Sequence, residues 1–273
     1  MTTEAPSRDT SGTLPFLTAA RGVFDLSFEA MLWSRRSLFL ALLLCLPIAL
    51  GVLFHAAQAV ELQTRITGRD LYQLLVVLFY VRNALPLVAL FYATSLIADE
   101  VEGRTLTFLL TRPVSRASVL TGKYAAFLAT ALTLTLPAVV VGGVLLIAPE
   151  GAGALGGSLP ALLRDMAAMG LTLAAYGAAF TLLGVLLRRP VIPGLVFLFV
   201  WEFLANLPGY LPRFTLSVYA RGLLPYRSIP GLGELFLLDL EPWTCAATLA
   251  AVSAAGLLLA IGIFSSREYS MSQ

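Results

Sequence analysis

The sequence predicts an all-α integral membrane fold: six transmembrane helices, an N-terminal interfacial helix and a short cytoplasmic helix between spans 2 and 3. Three observations predict it. Only 12% of the 273 residues are charged, about half the share of an ordinary soluble domain. Hydrophobic residues make up 58%, and the mean hydropathy is +0.86. Six apolar runs, at about 38–54, 73–98, 121–147, 163–187, 191–208 and 243–264, are each long enough, at about 17 residues or more, to cross a bilayer.

Residues 1–37 come first, as a tail rich in Ser, Thr and Pro followed by "RGVFDLSFEAMLW". Arg21, Asp25 and Glu29 recur every four residues, as do Phe24, Phe28 and Leu32. Charged and apolar stripes therefore occupy different faces of one helix, which suits the inner membrane surface. The next stretch, "SRRSLFLALLLCLPIALGVLFHAAQA", has the shape of a twin-arginine export signal. Five further apolar runs favour reading Arg35 and Arg36 as the inside flank of a first span.

The transmembrane domain covers 38–264, and 265–273 form a second cytoplasmic tail. Six spans put both termini on one side. Eleven of the 18 lysines and arginines then share the side of the N-terminus, six lie opposite, and Arg82 falls within a span. By the positive-inside rule both termini are cytoplasmic. "PEGAGALGGSLP", 149–160, reads as a glycine-rich external turn. The external loop 207–241 carries four prolines and three tyrosines, with Pro242 just after it; its apolar pieces are too short to span and read as short helices at the outer interface. Cys45 and Cys245 both lie in apolar runs and read as packing residues. A net charge of +2 with no basic stripe gives no reason to expect nucleic acid.

The loop 99–120 gathers charges that the rest of the chain avoids. Asp99, Glu100 and Glu102 follow the second span, and Gly103 is a natural helix stop. In "RTLTFLLT", opened by Arg104 and Thr105, Leu106, Leu109 and Leu110 share a face at i, i+3 and i+4. Arg112 follows, Pro113 ends the helix, and Ser115 can cap the helix that begins at Arg116 and leads into span 3. Such a piece can dock in a groove on another protein.

"ADEVEGRTLTFLLTRPVSRASVLTGK" resembles the cytoplasmic signature of type-2 ABC exporter permeases. Glu100 and Glu102, Gly103, Thr105-Leu106, Leu109-Leu110, Pro113-Val114-Ser115-Arg116 and Gly122-Lys123 occupy its places. The usual Glu-Arg-Glu is here Glu100-Val101-Glu102, so a contact made by the central arginine is lost. The resemblance extends over nearly the whole chain. It implies that 99–120 is the coupling helix, with Glu100, Glu102, Arg104, Arg112 and Arg116 among its contacts to an ATPase partner. It also implies a complex of two permeases, this chain with a second copy or a homologue, and two ATPase subunits in the cell (plasma or inner) membrane, with room for an extracytoplasmic accessory protein. No G-x-x-x-x-G-K-[ST] occurs. The expected cofactors, ATP and Mg, then belong to the partner, and this chain is not itself an enzyme.

Ionisable residues inside spans are the remaining signal. Arg82, next to Asn83, lies in the second span, and Glu202 lies in "FVWEFLANLPG" with Asn206. A charge at mid-bilayer costs at least ~2.5 kcal/mol, so each needs a partner, water or a shallow position. Opposite sign and similar depth make Arg82 and Glu202 a candidate pair. They also support a rival reading, a secondary transporter or channel. A second rival, an enzyme holding Mg-diphosphate on Asp99, Glu100 and Glu102, lacks a second acidic cluster.

Overall fold

Helix α1, Phe16–Leu32, forms where the four-residue stripes predict it. The computed structural model describes residues 16–59, 67–96, 115–187, 189–207, 210–226 and 240–266. Among these every regular element is helical. Ala19 is the buried residue of α1, and the helix packs chiefly on the start of the third span, α4 (Arg116–Ile147). Gly122 of α4 permits that approach: a Cβ there would lie 2.5 Å from the Ala20 carbonyl oxygen. The expected interfacial helix is thus clamped to its own protein along one side, while Leu17, Leu26 and Trp33 stay exposed.

Ser34 accepts the Ser37 N–H at 3.1 Å and starts α2, Arg35–Ala59, as an N-cap does. Leu40 and Leu44, one turn apart, are buried, whereas Leu38, Phe39, Leu42 and Leu46 are exposed. An outward apolar face on this scale is unstable in water and ordinary against lipid.

The second span, α3 (Gly68–Ala93), opens on a capping box between Thr67 and Asp70. It winds as a π-helix over Leu75–Ala84 and returns to α over Leu85–Ala93. Pro86 explains the change. It has no N–H, and its ring would press on the carbonyl four residues back in an unbroken α-helix. The wider turn ahead of it takes up that conflict. This span supplies much of the core, through Val76, Tyr80, Val81, Leu85, Val88 and Ala89.

Ser115 accepts the Ser118 N–H and caps α4, as the sequence suggests. The turn after α4 is much shorter than 149–160. Gly151 takes φ +102°, a conformation that favours glycine. Helix α5 then runs from Ala152 to Leu186, straight through Gly153, Gly156, Gly157 and Pro160. The expected glycine-rich turn is therefore mostly helix. Glycine and proline are more frequent in membrane helices than in soluble ones, and a Cβ at Gly153, Gly156 or Gly157 would meet open space.

Among the described residues, five helices are long and apolar enough to cross a membrane: α2, α3, α4, α5 and α8 (Pro242–Ser266). The expected fifth span is instead a shorter apolar segment, α6 (Val191–Ala205). It is α-helical to Val196, π over Phe197–Trp201 and 3-10 from Glu202. Gly194 lies against Leu90, and Glu202 reaches the start of a short helix α7, Leu216–Gly222. Together with the turn Leu211–Phe214, α7 provides the short helices expected in the 207–241 loop.

Two ends of the bundle can be told apart. At the first, the Ser37 and Tyr92 hydroxyls bond, Lys123 Nζ donates to the Leu96 carbonyl at 2.8 Å, and Arg116 donates to the Ser265 carbonyl at 3.4 Å. The start of α2 and the end of α8 therefore share this end. At the second, Arg69 pairs with Glu150 (3.9 Å) and donates to Ser158 (3.3 Å), while Gly222 lies against Cys245. Cys245 is a buried free thiol and Cys45 an exposed one.

Candidate functional site: a charged cavity inside the bundle

Arg82, Asn83 and Glu202 line one cavity of about 180 Å³. Each charge sits at a departure from α-helical winding: Arg82 in the π segment of α3, and Glu202 where α6 changes from π to 3-10. Such irregularities turn side chains out of the regular register and recur at functional sites. Asn83 spends its amide on the backbone, donating Nδ2 to the Leu78 carbonyl at 2.6 Å. Asn206 belongs to the 3-10 turn, and its side chain lies outside the described atoms.

Sequence reasoning missed the third charge, Arg221 of α7, which lines the same cavity and is 4% exposed. Burial first, then the Arg82 charge, pulls its guanidinium below the usual arginine value. Arginine nonetheless remains a cation at any working pH. The Glu202 carboxylate accepts the N–H groups of Leu216 (3.2 Å) and Ser217 (3.3 Å). Those are orphan donors at the start of α7, and the positive end of a helix favours a carboxylate. The Tyr176 hydroxyl of α5 sits beside Glu202 and Arg221. Among the described lining residues, two guanidinium groups and one carboxylate share the cavity, and arginine forks match carboxylate geometry.

A second polar cluster was also missed. Asp165 of α5 is fully buried, and its Oδ2 accepts the hydroxyls of Tyr72 (3.1 Å) and Tyr226 (2.5 Å). Its Oδ1 has no hydrogen-bond partner among the described residues. Burial, and then the bond to Asp165, raise the Tyr226 phenol above its usual range. Asp165 lies inside the expected span 163–187 but was not singled out, because its phenol partners Tyr72 and Tyr226 are distant in sequence.

Of the remaining candidates, Glu100, Glu102, Gly103, Arg104, Thr105, Leu106, Leu109, Leu110, Arg112 and Pro113 lie outside the described residues. So does Asp99, with the rival metal reading. Arg116 is described, at the start of α4.

Residues 23–217 match the family model described as ABC-2 family transporter protein. No curated protein matches the chain. The match takes in α2 to α6 and the charged cavity up to Ser217, leaving Arg221 just beyond it. A family of this kind supplies the membrane-embedded, non-catalytic permease subunit of an ABC transporter and works with an ABC ATPase subunit. The match covers well over half of the sequence, and the chain belongs to the ABC-2 family of transporter proteins.

Proposed function

We propose that this chain is the permease of an ATP-driven exporter, with six membrane crossings and both termini cytoplasmic. Two such permeases, copies or homologues, associate with two ATPase subunits that bind ATP and Mg. The ATPases press on the 99–120 loop, whose leucines Leu106, Leu109 and Leu110 seat in a groove of the partner. Glu100 and Glu102 steer nearby basic groups, which affects association rate and register more than affinity.

One observation carries this reading. The described residues on either side of the loop are bonded to each other, Lys123 of α4 donating to Leu96 just past α3. A load applied between them is delivered to two spans together. Arg82, on one of those spans, then moves with the loop, and the charged cavity is the place where ATP-driven motion meets the substrate path.

Co-purification and transport test the proposal. The complex should contain an ABC ATPase whose hydrolysis the permease stimulates. Replacing Leu109 and Leu110 together with Asp should uncouple hydrolysis from transport while the chain still inserts. A fully active, normally assembled complex from that variant would sink it. The same cavity favours one alternative, a secondary transporter or channel using Arg82 and Glu202. That alternative requires transport by the purified chain alone, without ATP.

A further inference from the structure

A cavity of about 700 Å³ opens where α1, the start of α2, the end of α3 and the start of α4 converge. It falls in the range of ligand sites, about 300–1,000 Å³. Its wall has two chemistries. Arg35, Arg36 and Lys123 bring three cations from two helices, and Ser34 and Tyr92 add hydroxyls to the lining. Leu26, Ala30 and Met31 of α1, with Leu96, supply an apolar side.

The cations are positioned rather than scattered. Arg35 opens α2, so both arginines stand at the first turn of a membrane-length helix, where a span meets the headgroup layer. Lys123 is 8% exposed, and its bond to the Leu96 carbonyl holds the ammonium at the cavity wall. Tyr92, within electrostatic reach of Arg36, is fixed by its bond to Ser37. Directly beyond the arginines, Leu38, Phe39 and Leu42 are 60–74% exposed. They extend an apolar track from the cavity along the outward face of α2.

We propose that this cavity seats the phosphate of an anionic phospholipid, with the acyl chains lying on the exposed face of α2. The shared chemistry is a phosphate oxygen met by guanidinium, ammonium and hydroxyl donors, and basic pockets between membrane helices suit lipid headgroups of this kind. The apolar wall and track decide for a lipid over free phosphate, because an inorganic ion gains nothing from Leu26, Met31 or Phe39. Lipid bound there bridges α1 to three spans and ties the N-terminal helix to the membrane's surface charge. The site is separate from the charged cavity of Arg82 and Glu202 and stands whether or not ATP drives the protein.

Native mass spectrometry of the full chain, released from detergent with dioleoylphosphatidylglycerol or dioleoylphosphatidylcholine, tests it, with thermal stability as the second readout. The wild type should retain the anionic lipid about 10-fold or more over the zwitterionic one, saturating at one per chain, with a parallel rise in melting temperature. Arg35→Gln with Arg36→Gln should remove that preference and leave phosphatidylcholine retention unchanged. Arg35→Lys with Arg36→Lys should keep most of it, a control in case the neutral variant folds poorly. Equal retention of both lipids by the wild type would overturn the proposal. So would undiminished selectivity in a folded neutral variant, or millimolar inorganic phosphate reproducing the whole stabilisation.

Discussion

The Glu202 carboxylate accepts the backbone N–H of Leu216 at 3.2 Å, so the residue at which α6 changes from π to 3-10 winding also meets the start of α7. Two demands meet on this residue: the orphan donors of a helix start, and the positive charges of Arg82 and Arg221 sharing its cavity.

Charge coupling across the cavity follows. Glu202→Gln keeps an acceptor for one N–H and loses the negative charge. It should lower stability by about 1–3 kcal/mol, the range for hydrogen bonds to charged groups. Arg82→Met should destabilise as well. Made together, the two should cost less than the sum of the single changes by more than about 0.5 kcal/mol, since removing one charge strands its counterpart. A double-mutant cycle on detergent stability measures it. Additivity within error means the two charges do not interact.

The α1–α4 contact should depend on Gly122. Its Cβ position lies 2.5 Å from the Ala20 carbonyl oxygen and 3.1 Å from Val23 Cβ. Gly122→Ala therefore has to push α1 off α4, at about 1–3 kcal/mol for an overpacked contact. Limited proteolysis within 16–32 should accelerate. Gly142→Ala, with open space around it, is the control and should be neutral or slightly stabilising.

Asp165 should prove sensitive to its phenols. Tyr226→Phe removes the closer donor, at 2.5 Å, and Tyr72→Phe the other, at 3.1 Å. With one carboxylate oxygen already lacking a partner among the described residues, each loss should lower stability by about 1.5–3 kcal/mol. Thermal unfolding in detergent should show a smaller shift for Tyr219→Phe, whose hydroxyl serves only the neutral Arg213 carbonyl.

Topology can be decided with three reporters. One placed at Gly151 should read external; one at Arg189 and one after Ser266 should read cytoplasmic. Agreement between the Arg189 and Ser266 reporters requires that 191–241 leave and return, with α6 making the outward crossing. Opposite readings would leave five crossings.

Length and uniform apolarity made five of the helices legible, from α2 to α8. The α-helical stripes of Phe24, Phe28 and Leu32 made α1 legible as well. What failed did so for definable reasons. Gly153, Gly156, Gly157 and Pro160 signal a turn in water, yet they continue α5. The winding of α6 was hidden because a uniformly apolar run has the same composition whether it is α, π or 3-10. Arg82 and Glu202 stood out as isolated charges in apolar runs. Arg221 did not, because it belongs to a loop dense in proline and its burial is purely tertiary.

The 32 residues of α4 and the 35 of α5 correspond to about 48 Å and 52 Å at 1.5 Å per residue. A hydrocarbon layer is only about 30 Å thick, so this hairpin is a pair of rods with some 20 Å to spare. Rods obey lever arithmetic: a tilt of about 10° at one end carries the other sideways by about 9 Å. Gly122 and Lys123 grip α4 near its start, while Gly151 joins the two tips. A small rotation at the grip is therefore a large sweep at the tips, and stiffness over that length becomes a property that selection can act on.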